Sequence, residues 1–123
     1  MSFCTAINCM DGRTQLPVNE YMRKRYGVDY VDTITEPGPI RILAGEGDPV
    51  LLESIFARVA ISVEKHGSQA ICVVGHHDCA GNPVDRETQL VQVEKSVALL
   101  GERFPGVEVF GVWVGEQWTV EAL

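Results

Sequence analysis

The 123-residue sequence contains no long apolar run. A membrane-spanning helix needs about 20 consecutive apolar residues, and no stretch of this chain approaches that length. The first residues also lack a basic segment followed by an apolar one, which is the pattern of a secretory signal peptide. We therefore expect a cytoplasmic protein without a membrane partner.

Basic residues are also scarce in this chain. Ten Lys and Arg residues stand against 17 Asp and Glu residues, which gives a net charge of -7. Nucleic acids and anionic membranes bind mainly through basic surfaces, so this balance argues against both classes of partner. The one basic cluster, Arg23-Lys24-Arg25, falls at the end of a predicted helix, where cations interact favourably with the helix dipole.

Low-complexity segments and internal repeats are absent as well. The composition, with 46% hydrophobic and 22% charged residues, is that of a globular protein. The length suits one domain with a modest core, so residues 1–123 are expected to fold as a single domain.

No Cys-x-x-Cys motif occurs among the four cysteines, which are Cys4, Cys9, Cys72 and Cys79. In the cytoplasm such residues are expected to be thiols or metal ligands rather than disulfides. Thiol catalysis by Cys9 beside Arg13 is one alternative. The spacing Cys-x-x-x-Arg, however, does not match a phosphate-cradling loop.

Short apolar runs alternate with segments of helical period along the chain. The runs predict four strands, over residues 3–8, 30–35, 70–74 and 107–114. The helical segments cover residues 17–26, 50–66 and 88–103. Pro17 is expected in the first turn of the first helix, and Asp48 is expected to cap the second. This order predicts an α/β fold with a mostly parallel central sheet of about four strands and helices on both faces.

Three potential metal ligands follow two of the predicted strands. Cys9 comes directly after the first strand, and His76 and Cys79 stand three residues apart after the third. Two thiolates and one imidazole favour zinc, and such a set leaves the fourth tetrahedral position open for water or substrate. The alternative is that both cysteines are buried apolar side chains and that the histidine is satisfied within its loop.

Two charged residues lie close to Cys9 in the sequence. Asp11 and Arg13 follow it by two and four positions. A carboxylate near zinc can accept a hydrogen bond from a zinc ligand, and an arginine can hold that carboxylate by a charge-assisted pair. Otherwise Asp11 is a turn residue and Arg13 a solvated charge.

Together the two motifs, Cys9-x-Asp11-x-Arg13 and Gly75-His76-x-x-Cys79, resemble the signature of the β-class carbonic anhydrases. The resemblance extends over residues 3–115. It implies that the two cysteines and His76 bind zinc, and that the Asp–Arg pair gates the fourth position, where the family's aspartate can itself ligate zinc. The implied reaction is reversible hydration of carbon dioxide to bicarbonate by zinc-bound hydroxide, with His77 as a candidate proton shuttle.

The sequence departs from the family pattern at several positions. Only eight residues precede Cys9 in this sequence, so we expect it to lack the helical arm with which family members embrace a partner subunit. The link after Cys79 is short, and it begins Ala80-Gly81 where the family has two glycines. Residues 35–38 stand where the family often has Arg-Asn-Ala-Gly, so Glu36 could bring a carboxylate near the site.

These departures leave other functions open. One is hydrolysis of a related small molecule such as carbonyl sulfide or carbon disulfide. Another is a closed, non-catalytic zinc site with Asp11, Glu36 or Asp78 as the fourth ligand. Because the family places its site at a subunit interface, the resemblance also implies a homodimer or higher homo-oligomer.

Overall fold

The computed structural model describes residues 2–123. Five strands form one sheet in the order β2-β1-β3-β4-β5. The first four strands are mutually parallel, and the last pairs antiparallel with its neighbour. Their bounds are β1 Phe3–Cys9, β2 Tyr30–Glu36, β3 Ala70–His76, β4 Glu108–Val114 and β5 Val120–Ala122.

Four helices connect the parallel strands. They are α1 Gly12–Tyr26, α2 Pro39–Leu43, α3 Pro49–His66 and α4 Arg86–Arg103. Aspartates cap three of them, because the side chains of Asp11, Asp48 and Asp85 accept hydrogen bonds from first-turn backbone N–H groups. Among the helices within residues 2–123, none combines the length and the apolar character needed to cross a bilayer.

The sheet is covered on both faces by separate apolar clusters. On one face α1 contributes Val18 and Met22, which pack with strand residues such as Val74. On the other face α2, α3 and α4 pack against Ile7 and Val73. Burial on both faces explains why residues 70–74 of β3 are all apolar and why the whole strand is buried.

The chain reverses its winding direction between β1 and β3, which are neighbours in the sheet although β2 separates them in sequence. Ligand sites in open parallel sheets lie outside the carboxyl ends of the strands at such a point. β1 ends at Cys9 and β3 ends at His76. The topology therefore brings the two predicted motifs to one edge of the sheet.

The predicted α/β architecture with helices on both faces is confirmed, with three differences in detail. The sheet has a fifth strand, β5, which is antiparallel and only three residues long. A short helix, α2, lies between β2 and α3, where no helix was predicted. The first helix begins at Gly12, so the placement of Pro17 in its first turn is wrong. Asp11 caps this helix, and Pro17 lies one turn further inside it.

Candidate metal centre

Three side chains converge at the carboxyl ends of β1 and β3. The sulfur atoms of Cys9 and Cys79 and a ring nitrogen of His76 all lie within 4.8 Å of one another. All three side chains are buried, and His76 is only 1% exposed. The structure thus brings together the three ligands that the sequence predicted, one from each strand end and one from the loop after β3.

The orientation of His76 is fixed by the backbone around it. Its Nδ1 lies 2.7 Å from the carbonyl oxygen of His77, so Nδ1 donates its proton there and the lone pair is on Nε2. From α4, the buried Gln89 side chain accepts from the His76 backbone N–H at 3.1 Å and donates to its carbonyl at 2.8 Å. Gln89 therefore clamps the strand end that carries the imidazole.

The Nε2 atom of His76 is buried, and it has no hydrogen-bond partner among residues 2–123. Buried polar atoms in folded proteins are nearly always paired, so an unpartnered nitrogen needs a ligand to satisfy it. This atom faces the space bounded by the two thiols. The arrangement fits a metal ion better than it fits a closed protein core.

The distance between the two thiols also fits a metal ion. The Cys9 and Cys79 sulfurs are 3.9 Å apart. Two sulfurs bound at about 2.3 Å to a tetrahedral zinc would be about 3.8 Å apart. A hydrogen bond from Cys79 holds the pKa of the Cys9 thiol well below its ordinary value and raises the pKa of Cys79.

Asp11 and Arg13 form a pair beside this cluster. The Asp11 carboxylate accepts from Arg13 Nε at 3.0 Å and from Nη2 at 2.7 Å, and it also accepts from the Arg13 backbone N–H at 2.9 Å. Chiefly because of the side-chain hydrogen bonds, the pKa of Asp11 falls to about 2. Asp11 is consequently an ionised acceptor at neutral pH, held by the helix start and by the guanidinium together.

Arg13 has two further contacts that the sequence did not predict. Its Nη1 and Nη2 donate to the side chain and the backbone carbonyl of Asp78, at 3.3 and 3.1 Å. Its guanidinium carbon also lies 4.2 Å from the centre of the Trp118 ring. Asp78 occupies an unspecified position of the second motif and Trp118 lies outside both motifs, so only the folded chain reveals these contacts to Arg13.

The remaining candidates lie outside the ligand cluster. The carboxylate of Glu36 pairs with Arg58 on α3, and the Glu36 backbone carbonyl accepts from the Met10 N–H at 3.0 Å. Asp78 directs its carboxylate to Arg13. His77 lines a neighbouring open cavity of about 380 Å³ that none of the three clustered residues lines. Of the acidic alternatives for a fourth ligand, Glu36 and Asp78 thus have cationic partners of their own.

Two loops pack closely around the cluster. Gly81, two residues after Cys79, lies against the backbone of Pro37, and a Cβ atom at Gly81 would come within 2.6 Å of it. Gly38 has a positive φ of 60°, and a Cβ there would meet Gly81 and Asn82. The packing of these two loops therefore requires glycine at position 81.

Comparison with known proteins gives a family for this fold and cluster. A family model described as "Putative carbonic anhydrase" matches residues 1–123. No individual curated protein matches the sequence significantly.

Among solved structures, the chain is similar to three carbonic anhydrases, and these identities establish the fold alone. A β-carbonic anhydrase of Trichomonas vaginalis is 18% identical with a TM-score of 0.61, covering 97% of this chain and 80% of that one. A tetrameric β-carbonic anhydrase of Sordaria macrospora is 15% identical with a TM-score of 0.66, covering 98% and 79%. The carbonic anhydrase of Streptococcus mutans is 16% identical with a TM-score of 0.62, covering 97% and 80%. The family match over the whole sequence shows that the chain belongs to this carbonic anhydrase family, and its fold is the one that these β-carbonic anhydrases share.

Proposed function

We propose that residues 1–123 form a single zinc-binding domain that catalyses the reversible hydration of carbon dioxide to bicarbonate. Cys9, His76 and Cys79 would hold the zinc ion. The observation that carries the proposal is the buried, unpartnered Nε2 of His76, which faces two thiols 3.9 Å apart. A sulfur-rich donor set with one imidazole is suited to zinc and unsuited to magnesium or calcium.

When bound, zinc supplies Lewis acidity, which lowers the pKa of a coordinated water to about 7. The role of Asp11 in the reaction follows from its ionisation state. With a pKa of about 2, its carboxylate can only accept hydrogen bonds at neutral pH. We assign it to hold the proton of the attacking nucleophile, so that an oxygen lone pair is directed at the carbon of the substrate.

Arg13 serves this function by controlling where the Asp11 carboxylate lies. Three of its N–H groups, one of them on the backbone, donate to that carboxylate. These bonds occupy both carboxylate oxygens and draw them towards the start of α1. A carboxylate so engaged is a poor metal ligand, so the pair favours an open fourth position.

A closed, non-catalytic site is the main competing proposal, and Asp11 is its most direct fourth ligand. Two observations count against it. Asp11 is not part of the cluster of atoms within 4.8 Å, and both its oxygens are engaged by Arg13. An Asp11→Asn variant separates the proposals. In an open site zinc affinity changes little, whereas loss of a true fourth ligand weakens zinc binding strongly.

Stopped-flow hydration of carbon dioxide tests the proposed activity. Zinc-loaded wild-type protein is compared with Cys9→Ala and with Cys4→Ala, a matched control on the same strand whose buried side chain packs in the cluster facing α1. We expect the Cys9 variant to lose zinc and hydration activity and the Cys4 variant to keep both. A wild-type rate no higher than that of Cys9→Ala, with one zinc bound to the wild type, would remove the proposal.

The assembly and location of the protein are also proposals. Beside the site, Met10 and Leu16 are 62% and 65% exposed, which is apolar surface that a second copy could cover. The Sordaria macrospora relative is described as tetrameric. We therefore propose a homodimer or higher homo-oligomer, and light scattering that shows a monomer at micromolar concentration would contradict it. Thiolate ligands need reduced cysteines, so the proposed location is the cytoplasm.

A further inference from the structure

The Arg13 side chain is more firmly held than its position at the surface requires. It is 45% exposed, and ion pairs between exposed side chains usually contribute little because each partner remains free to move. Here the guanidinium contacts three separate groups, namely the Asp11 carboxylate, the Asp78 loop and the Trp118 ring. Stacking against an aromatic face restricts a planar guanidinium in a way that a single ion pair does not.

Trp118 lies in the tight connection between β4 and β5. Its backbone N–H donates to the Gly115 carbonyl at 2.9 Å, and the Gly115 N–H donates to the Thr119 carbonyl at 3.3 Å. Its φ is 56°, in the left-handed region that glycine or asparagine normally occupies in such turns. A bulky tryptophan is unfavourable there, so the turn geometry alone does not explain this residue.

The second non-glycine residue with a positive φ is Asp78, at 57°. It also contacts Arg13, through both its carbonyl and its carboxylate. Within residues 2–123, the only two non-glycine residues in this strained region therefore meet on one guanidinium. Strained residues of this kind concentrate at functional sites, where the surrounding contacts hold them in place.

The Trp118 ring also faces the end of β3. Its centre lies 6.4 Å from the centre of the His76 ring and 6.2 Å from that of His77. The indole thus lies near both the guanidinium and the proposed zinc ligand. Movement of this ring would change both its stacking on Arg13 and its packing near His76.

We propose that Trp118 is a positioning residue, which stacks on the Arg13 guanidinium and keeps it paired with Asp11 beside the metal site. This inference rests on the proposed function for its catalytic consequence, but the positioning itself is a property of the chain. Trp118 keeps its unfavourable positive φ because that backbone conformation places the indole ring on the Arg13 guanidinium. The β4–β5 turn thereby acts as a support for the Asp11–Arg13 pair.

The test uses a substitution that relieves the backbone while removing the ring. Trp118→Gly suits the positive φ, so the turn should remain folded or become more stable. Trp118→Phe is the conservative control, since it keeps an aromatic face. Trp118→Asn also tolerates this φ without a stacking ring, and it repeats the test if the glycine variant loses the β5 amide signals that report the intact turn.

The primary readout is hydrogen exchange of the Arg13 Nε–H, followed by NMR on the full chain and assigned by its absence in Arg13→Lys. This proton faces Asp11, so its exchange rate reports how often the pair opens. We expect exchange about tenfold faster in Trp118→Gly and within about threefold of wild type in Trp118→Phe. Carbon dioxide hydration by the zinc-loaded protein should be slower in Trp118→Gly than in wild type and close to the wild-type rate in Trp118→Phe, with zinc content unchanged in both.

An exchange rate in both the glycine and asparagine variants equal to that of wild type would overturn the inference. Exchange that is accelerated equally in the phenylalanine and glycine variants would also overturn the inference, because the loss of aromatic stacking would then not be the cause. If wild-type protein binds zinc but does not hydrate carbon dioxide, while exchange follows the expected order, the proposed function fails and the positioning of Arg13 is supported.

Discussion

Two clusters of polar side chains on the sheet differ in whether their buried polar atoms all have hydrogen-bond partners. The first lies between β1, β2 and the end of α3, where Thr5 donates to Ser68 at 2.7 Å and lies 2.7 Å from the Ser62 hydroxyl. Ser62 donates to the Asp32 carboxylate, which also pairs with His66 Nδ1, both at 2.6 Å. The buried hydroxyls of this cluster all have partners within the protein.

The second cluster is the proposed metal centre, and it leaves His76 Nε2 without a partner. Both clusters contain a histidine near polar groups, so residue type alone does not distinguish them. We infer that the cluster with a complete set of hydrogen bonds has a structural role, and that the cluster with a buried nitrogen left open beside two thiols is the candidate ligand site.

The largest expected effect comes from removing the open histidine. His76→Ala should reduce bound zinc from about one per chain to near zero and abolish hydration, because a Cys₂ pair alone does not complete a catalytic zinc site. His66→Ala, the matched change in the first cluster, should leave zinc content unaltered. Metal analysis after dialysis measures both. Equal zinc in the two variants would contradict the distinction between the clusters.

A smaller loss of zinc affinity is expected from releasing the clamp on His76. Gln89→Leu removes both hydrogen bonds to the His76 backbone, and residues supporting metal ligands typically contribute about 10- to 100-fold in affinity. Ser96→Ala, a buried position on the same helix without contact to the cluster, is the control. Competition with a chromophoric chelator gives both affinities. If the two variants bind zinc equally well, Gln89 has no supporting role.

The first cluster should instead respond in stability. Ser62→Ala removes the hydroxyl that donates to the Asp32 carboxylate, at a cost of about 1–3 kcal/mol in the free energy of unfolding. Its zinc affinity should match that of wild type. Urea unfolding and chelator competition measure the two quantities. Weakened zinc binding in this variant would show that the clusters are not independent.

The smallest effect concerns acid stability of the metal-free protein. Asp11 has a folded-state pKa of about 2, below its ordinary value of 3.8, so the folded state binds fewer protons than the unfolded state between these values. Its stabilising contribution is present above about pH 4 and is lost as the pH falls towards 2. Asp11→Asn should flatten this part of the stability curve in thermal unfolding. A wild-type curve as flat as that of the variant would contradict the assignment.

The sequence predicted those parts of the fold that depend on local pattern. The apolar periodicity of α3 and the cap at Asp48 placed that helix within one residue of its observed start. β5 has only three residues and is defined by its pairing with β4, so periodicity could not show it. The start of α1 was missed because Asp11 was interpreted as a metal-site residue or a turn residue, although it is also an N-cap.

The sequence likewise predicted only part of the candidate site. The two motifs stand at strand ends, and their spacing was enough to predict the cluster of Cys9, His76 and Cys79. Gln89 and Trp118 reach the site from α4 and from the β4–β5 turn through tertiary packing. Their neighbours in sequence give no sign of this, because a glutamine in a helix and a tryptophan near the chain end have no pattern of their own.

The central claim is that the open Nε2 and the two thiols hold one zinc ion, and X-ray absorption at the zinc edge of the loaded protein tests it most directly. The account predicts two sulfur atoms at about 2.3 Å and one imidazole nitrogen at about 2.0–2.1 Å, with a further light atom completing four-coordination. A spectrum with fewer than two sulfur atoms, or without an imidazole contribution, would contradict it.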